Sequence, residues 1–293
     1  MKYNYKTYWT DIHRKYKGKL QAVAYPTLSE YLNLLKYRSE TKVVLRGLKE
    51  INPHFKKDRG EVISVLDVGA GSGYWSDLIY RYFFEQGFNV NLIALDITED
   101  ALEVLRKHSP QFGTVCADLS TIDINRFRQA FDLVLSCYCL HHLVHLDDFL
   151  NGLRFAGRSV KEGGFLILMD PILTLPFSRF DVIFSPSYCG NGIPRHLYLI
   201  EDILSKEGFQ RRWVWPAVSF LLNGNIEAYD PLSYMLMRFL WGSLSFFYKS
   251  ENFVRLFSSI FVHLDEILKR LGLAFSSSFC IYEKIPLGVK QKI

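Results

Sequence analysis

The sequence lacks the patterns that mark secreted, metal-binding and membrane-spanning proteins. Its five cysteines are too irregularly spaced for a disulfide framework or a zinc site. The N-terminus is charged and has no apolar signal segment. The most apolar stretch outside the expected core, residues 234–247, contains Arg238 and is shorter than the roughly 20 residues that a membrane span needs. We therefore expect a protein of the reducing cytoplasm, without a metal centre or a membrane span.

The sequence also lacks an even distribution of charge. The 293 residues carry a formal net charge of +5, but residues 1–60 alone hold 14 Lys and Arg against 5 Asp and Glu. This basic head also contains Tyr3, Tyr5, Tyr8 and Trp9. Such a segment is compatible with a solvated helical lid, or with an arm that meets an anionic substrate, nucleic acid or a membrane surface.

Short apolar runs alternate with helical periods from residue 61 onward. Strands are predicted at 61–67, 89–96, 113–118, 131–139 and 163–170, and helices at 74–87, 98–108 and 146–160. This alternation predicts an α/β fold in which a parallel sheet is covered on both faces. A further helix is predicted at 196–209, followed by strands at 210–220 and 276–285.

Two segments interrupt or precede this alternation. Residues 1–60 are predicted to form a helical N-terminal lid, and residues 216–275 a helical cap that is inserted into the core. The core then comprises residues 61–215 together with residues 276–293. The cap is rich in aromatic residues, which would desolvate an apolar acceptor; a dimer face or ordinary core packing would explain the same composition.

The segment VLDVGAGSGYWS, residues 65–76, places glycines at every second position after a strand. Glycine permits positive φ and lets a ligand approach the backbone. The spacing differs from the dinucleotide pattern G-x-G-x-x-G, and Asp67 before the first glycine would repel a phosphate. Asp96 ends the next strand, where an acid can bind ribose hydroxyls, and Asp118 ends the third, where it can accept a bond from a base. Together these features predict a nucleoside with a zwitterionic tail, which is S-adenosylmethionine.

Five segments, in the expected order, resemble the motifs of class I S-adenosylmethionine-dependent methyltransferases of the small-molecule type. They are residues 65–76, 92–102, 115–120, 131–143 and 160–171. The resemblance implies a Rossmann-like, doubly wound sheet of seven strands whose last strand is antiparallel. It also implies S-adenosylmethionine as the cofactor and S-adenosylhomocysteine as its product.

The same resemblance implies a set of cofactor-binding residues. Those around the glycine turn would hold the methionine part, those after the second strand the ribose and adenine, those after the third the adenine edge, and those ending the fourth the amino acid. In this sequence the set is Asp67, Gly69, Ala70, Gly71, Gly73, Asp96, Ile97, Asp118, Leu119, Ser136 and Cys137.

The residues beyond the fourth strand bear on the acceptor. The chain has SCYCLHHL there, without the Asn/Asp-Pro-Pro-aromatic motif or the Pro-Cys nucleophile of methyltransferases that act on nucleic-acid bases. His141 and His142 are candidate bases for a hydroxyl proton, and His196 is a third. Candidate substrate contacts are Asp170, Tyr188 and Arg195.

We therefore predict methyl transfer to a small molecule, with oxygen of an apolar or aromatic metabolite as the acceptor atom. Three alternatives remain open at this point. The basic head would serve an RNA methyltransferase, although nucleic acid is the less favoured partner. Residues 234–262 would dock a lipid-substrate enzyme on a membrane surface. A non-catalytic methyltransferase-like subunit would keep the same cofactor residues, and a homodimer is compatible with any of these.

Overall fold

A sheet of seven strands forms the centre of the protein in the computed structural model, which describes residues 4–55, 61–174, 192–227, 230–274 and 276–285. The strands are β1 (Val62–Val68), β2 (Asn89–Asp96), β3 (Gly113–Cys116), β4 (Phe131–Cys137), β5 (Val160–Asp170), β8 (Phe209–Pro216) and β9 (Ser278–Lys284). Their spatial order is β3-β2-β1-β4-β5-β9-β8. The first five run parallel, whereas β9 runs antiparallel to both β5 and β8. The predicted fold class, including the antiparallel last strand, is confirmed.

Helices cover both faces of this sheet because its central strands are apolar on both sides. One face packs against α2 (Glu30–Ile51), α3 (Tyr74–Glu85) and α4 (Glu99–His108). The other packs against α5 (Leu146–Ser159) and α6 (Leu197–Lys206). Side chains such as Val65 and Leu66 are both fully buried although they point to opposite faces, which is the pattern of a doubly covered strand.

Two of the remaining helices, α7 (Pro231–Phe247) and α8 (Glu251–Arg270), form a third core beside the sheet. The first helix, α1 (Tyr5–Lys15), lies outside this core and contacts α4. Trp241 and Tyr248 of this region pack with Leu32 and Leu35 from the first half of α2. The structure therefore joins the cap helices to a helix of the N-terminal segment. No helix in the described ranges is both long and apolar enough to cross a bilayer.

Several boundaries differ from the predicted ones: β5 begins at Val160 instead of residue 163, α6 ends at Lys206 instead of residue 209, and β8 ends at Pro216 instead of residue 220. Strand β3 ends at Cys116, because the carboxylate of Asp118 accepts bonds from the backbone and hydroxyl of Ser120 and turns the chain. The segment around residue 195 begins with a two-residue strand, β7 (Arg195–His196), which pairs with β6 (Ile172–Leu173) before α6 starts. Residues 175–191, which include the candidate substrate contact Tyr188, lie outside the described residues.

The order of the strands creates a crevice between β1 and β4. The chain leaves β1 toward β2 on one side, and leaves β4 toward β5 on the other. Ligands of open α/β sheets bind at this switch point, beyond the carboxyl ends of the strands. The glycine turn after β1 and the short 3₁₀ helix Leu140–His142 after β4 both lie there.

Candidate active site

The glycine turn after β1 needs glycine for two separate reasons. Gly69, Gly71 and Gly73 all have positive φ, at 77°, 54° and 93°, a region that other residues rarely adopt. A Cβ on Gly73 would also lie 1.8 Å from a methyl of Leu105, and one on Gly69 would lie 2.4 Å from Cys139. Gly73 therefore lets α3 start tightly against α4, whereas Gly69 and Gly71 face the crevice.

Asp67 lies beneath this turn as a buried carboxyl group. Its Oδ2 accepts a hydrogen bond from Ser76 Oγ at 2.6 Å. Its Oδ1 is also buried and has no hydrogen-bond partner among the described residues. Burial raises the pKa of Asp67 to about 7. A cationic group bound nearby would favour its ionised form.

Asp96 is held rigidly at the end of β2. Its Oδ2 accepts from the backbone N–H of Gly71 at 2.8 Å, and its Oδ1 accepts from the N–H and hydroxyl of Thr98 at 2.9 and 2.8 Å. A carboxylate has about four acceptor positions, so Oδ2 keeps capacity for a ligand hydroxyl. The bond to Gly71 links the carboxylate directly to the glycine turn.

A cavity lies above these groups and encloses about 820 Å³, including space open to solvent. Seven of the eleven predicted cofactor residues line it: Gly69, Ala70, Gly71, Asp96, Ile97, Leu119 and Cys137. The other four, Asp67, Gly73, Asp118 and Ser136, are not part of its wall.

Helix α1 closes this cavity from above. Tyr5, Trp9 and His13 recur at steps of four residues and all face the cavity. The hydroxyl of Tyr5 donates to Asp118 Oδ1 at 3.0 Å, so this acid binds the lid in the structure. The sequence predicted a lid in residues 1–60 and marked Tyr5 and Trp9 as aromatic members of the basic head, but not His13. The i, i+4, i+8 spacing of the three residues was the available signal for a common face.

Basic residues of the head are engaged with acids of α4 and α8. Arg14 pairs with Asp100 at 3.2 Å, Lys17 with Glu103 at 3.3 Å, and Lys42 with Glu266 at 3.5 Å. These pairs are largely exposed to solvent, and exposed ion pairs contribute little to stability. The lid role of residues 1–60 stays a prediction.

A second, wider cavity adjoins the first. It encloses about 1,500 Å³, including space open to solvent. The two cavities share Trp9, Val23, Tyr138 and His142 as wall residues. The aromatic residues of the second cavity are Tyr8, Trp9, Tyr16, Tyr25, Tyr138 and Trp241, and its formally charged residues are Lys15, Lys36 and Arg238.

His141 and His142 both line the second cavity, and only His142 also lines the first. His141 Nδ1 lies 2.6 Å from Asp170 Oδ1. Burial lowers the pKa of His141 and raises the pKa of Asp170, because both charged forms lose hydration in the interior. The ring of His141 lies 3.8 Å from that of His142, centroid to centroid, and Trp9 packs on His142 from the other side at 4.8 Å.

Tyr138 stands at the boundary of the two cavities in an unusual conformation. Its φ is +54° although it is not a glycine, and strain of this kind is often retained at functional sites. Its hydroxyl donates to Glu40 Oε1 at 2.6 Å, and Lys36 Nζ lies 3.8 Å from its ring centroid. Lys36 and Glu40 also form a buried ion pair at 2.8 Å. Burial raises the pKa of Glu40 in spite of this cation.

The other predicted acceptor residues lie away from this boundary. The His196 ring stacks on Tyr198 at 5.0 Å, and His196 is not part of either cavity wall. Arg195 donates to the carbonyl oxygens of Leu143 and Val144 at 3.2 and 3.0 Å. Arg195 therefore holds the segment that follows the 3₁₀ helix.

Comparison with known proteins agrees with this geometry. Residues 65–164 match the methyltransferase domain family. A stretch of 126 residues is 28% identical to part of the hybrid PKS-NRPS synthetase poxE of Penicillium oxalicum, and covers 42% of this chain and 3% of the synthetase. A stretch of 169 residues is 25% identical to demethylmenaquinone methyltransferase of Tropheryma whipplei, and covers 58% of this chain and 56% of that protein.

The fold has a counterpart among solved structures. The YcgJ protein of Bacillus subtilis superposes with a TM-score of 0.50 at 15% identity, and the match covers 85% of this chain and 99% of that one. The segment 65–164 is thus a methyltransferase domain of the class I, S-adenosylmethionine-dependent type. The predicted class is confirmed, and S-adenosylmethionine is the cofactor of this domain.

The residues present suit that cofactor. Asp67 and Asp96 place two acids at the turn, which favours a cationic ligand and opposes a phosphate. The buried Oδ1 of Asp67, which has no hydrogen-bond partner among the described residues, and the bare backbone of Gly69 and Gly71 suit a zwitterionic tail held close to the chain.

Proposed function

We propose that the protein transfers the methyl group of S-adenosylmethionine to an oxygen atom of an aromatic small molecule bound in the second cavity. The observation that carries this proposal is the common wall of the two cavities. A cofactor in the first cavity and an acceptor in the second would meet between Trp9, Tyr138 and His142. Methyl transfer requires such alignment of two bound partners and little else.

The first cavity supplies the cofactor contacts in this proposal. Gly69 and Gly71 would accommodate the methionine part, Asp96 would accept from the ribose, and Ile97 with Leu119 would pack on the adenine. Asp67 would act from beneath the turn as the counter-charge of the ammonium group. Asp118 would close the site through its bond to Tyr5.

The second cavity defines the acceptor class. Its six aromatic side chains favour a flat, apolar body. Its formally charged wall residues, Lys15, Lys36 and Arg238, are all cations, so an acidic group or a developing phenolate is stabilised there. A phenol or hydroquinone meets both requirements.

His142 is the proposed base, because it lies where the two cavities meet. When bound, S-adenosylmethionine supplies a methyl group made electrophilic by its sulfonium. The acceptor hydroxyl would give its proton to the His142 imidazole while its oxygen forms the bond to the methyl carbon. The sulfur–methyl bond breaks and its electron pair stays on sulfur, which leaves S-adenosylhomocysteine. His141, fixed by Asp170, would hold the His142 ring through their stacked contact.

A titration and an acceptor screen test this function. We expect S-adenosylmethionine and S-adenosylhomocysteine to bind with micromolar dissociation constants in calorimetry, and NAD, the control, not to bind. Phenols, hydroquinones and demethylmenaquinone would then be screened, with formation of S-adenosylhomocysteine and the position of the new methyl group as readouts. Binding of NAD, or transfer only to nitrogen or carbon, would contradict the proposal.

The cellular setting and the oligomeric state stay predictions. The cysteines Cys116, Cys137, Cys139 and Cys280 are free thiols, as a reducing cytoplasm would keep them. Size-exclusion chromatography with light scattering would report whether the chain is a monomer or the homodimer that the sequence left open.

A further inference from the structure

The apolar surface of the protein is concentrated on the helical hairpin α7–α8. Seventeen large apolar side chains are exposed in the described part of the chain, and thirteen of them lie between Leu232 and Leu273. The most exposed, Leu256, Leu232 and Phe239, have 77%, 76% and 71% of their surface accessible. We call these thirteen side chains the apolar face. Soluble monomers rarely expose a contiguous apolar patch of more than a few hundred Å², and a larger one marks an interaction site.

Helical spacing places these side chains on the outer side of the hairpin. On α7 they recur at steps of three and four, as in Leu232, Leu236 and Phe239, while Tyr234 and Trp241 point inward and are buried. On α8 the step is four from Leu256 to Ile260. The inner sides are already occupied by the third core, so the apolar face is a second, separate surface.

The charges of the hairpin are sorted by side. Its acids bind inward: Glu251 accepts from the backbone of Tyr31 at 3.3 Å, and Asp265 accepts from the backbone of Ser219 at 2.7 Å. Glu266 likewise pairs with Lys42. The exposed residues between Leu232 and Leu273 include Lys249, Arg255 and Arg270 and no acid. Arg255 is in part neutralised by Glu251, at 2.8 Å.

We infer that the apolar face of α7 and α8 docks the protein on an anionic lipid surface, with both helices lying in the plane of the headgroups. An apolar stripe bordered by cations, with no exposed acid between Leu232 and Leu273, is the pattern of interfacial helices. The exposed Asp230 lies at the N-cap of α7, where it accepts from the backbone N–H of Ser233. A two-fold dimer would press the apolar face against itself and bring Lys249 and Arg270 of the two copies together, and the described residues of this face include no exposed acid to pair with them.

The docking surface also has a relation to the acceptor cavity. Trp241 and Arg238 line the second cavity from the inner side of α7, and Lys15 lines it while remaining exposed. One helix therefore separates the lipid surface from the cavity. From this arrangement we conclude that the acceptor is a lipid-soluble aromatic compound that enters the second cavity from the membrane. This conclusion rests on the proposed function.

Co-sedimentation of the full chain with vesicles tests the docking. The vesicles are phosphatidylcholine, with or without phosphatidylglycerol. We expect binding to the anionic vesicles that weakens at high salt. The double variant Phe239→Asp/Leu256→Asp should bind roughly a hundredfold more weakly, or more weakly still, since each of the two lost apolar insertions lowers the partition coefficient roughly tenfold or more. The matched control is Phe84→Asp on α3, where the phenylalanine is 62% exposed; it should bind like the wild type.

Two results would overturn the inference. One is that the wild type and the double variant sediment equally with the anionic vesicles, or that the wild type does not sediment with them at all. The other is that the wild type is a dimer and does not bind vesicles, whereas the double variant is a monomer. That result would assign the apolar face to contact with a second copy of the chain. Cofactor affinity of the double variant, measured by calorimetry, verifies its fold. Vesicle binding does not depend on turnover, so a failed acceptor screen with intact docking would reject the proposed function alone.

Discussion

The two cavities of this protein are built in different ways. The walls of the first come largely from short segments at the carboxyl ends of β1, β2 and β4, with the backbone of Gly69 and Gly71 exposed toward the ligand. The second is assembled from side chains of α1, the segment 23–27, α2, the 3₁₀ helix and the cap. A cofactor site built on a sheet edge can serve many chemistries, whereas the second cavity depends on how several helices of this chain pack together.

Replacing His142 should produce the largest difference between the two cavities, because it should impair methyl transfer while leaving cofactor binding intact. We expect His142→Gln to lower kcat/KM for a phenolic acceptor by roughly 100- to 10,000-fold, the usual contribution of a general base. Cofactor affinity should change little. Steady-state kinetics with calorimetry on the same protein would check this, with His108→Gln on α4 as a control. A comparable loss in both variants, or a loss in neither, would remove His142 from the reaction.

Replacing Asp67 should show how much this buried carboxyl group of the first cavity lowers the free energy of unfolding. Its pKa of about 7 lies above the ordinary 3.8, so ionisation of this group destabilises the folded state increasingly as the pH rises from about 4 to about 7. Asp67→Asn does not ionise. We expect it to be more stable than the wild type by up to about 4 kcal/mol above pH 7, and to bind S-adenosylmethionine more weakly.

Thermal unfolding across pH tests this difference. The gap in Tm between Asp67→Asn and the wild type should be small at pH 4 and largest above pH 7. Asp77→Asn, on the adjoining helix α3, is a control that should show no comparable gap. A gap independent of pH would mean that ionisation of Asp67 is not its cause.

Replacing Asp96 addresses the first cavity alone. Loss of a charge-assisted hydrogen bond costs about 1.5–3 kcal/mol, so Asp96→Ala should weaken S-adenosylmethionine binding roughly 10- to 150-fold. Part of that loss arises because Gly71 N–H loses its acceptor. Calorimetric Kd values would measure it, and circular dichroism would verify the fold. An unchanged Kd in a folded variant would show that the ribose binds elsewhere.

Removing the hydroxyl of Tyr5 should have the smallest effect. Tyr5→Phe loses the bond between the lid and Asp118, and a typical hydrogen bond contributes about 0.5–1.5 kcal/mol. We therefore expect roughly two- to tenfold weaker cofactor binding, with faster release in stopped-flow measurements. Tighter binding would instead show that Tyr5 competes with the cofactor for Asp118.

Most of the first cavity could be predicted from the sequence because its parts are local. The glycine turn, Asp96 and Ile97 each follow directly from a strand, and parallel strands deliver their carboxyl ends to one edge. Asp118 also follows its strand, but its bond to Tyr5 spans 113 positions. Local patterns contain no signal for such a contact.

The walls of the second cavity, and the division of the cap helices into a buried and an exposed side, could not be predicted from the sequence because they depend on tertiary structure. Apolar spacing in residues 234–262 predicted helices and raised a membrane dock among other options, but periodicity alone does not say which side of a helix is covered. Packing of Trp241 and Tyr248 against α2 decided that. In the same way, His141 and His142 were equal candidates by position, and only the wall shared with the cofactor cavity singled out His142.

The sequence by itself determined the alternation of strands and helices, the glycine turn and the acids that follow it, because these depend on neighbouring residues and on one sheet edge. Tertiary structure decided which side chains of α1 line the first cavity, which histidine lines both cavities and which side of the cap is exposed. Those outcomes depend on contacts between segments as distant as Tyr25 and Gly224, which are 199 positions apart. Such contacts arise only when the whole chain packs.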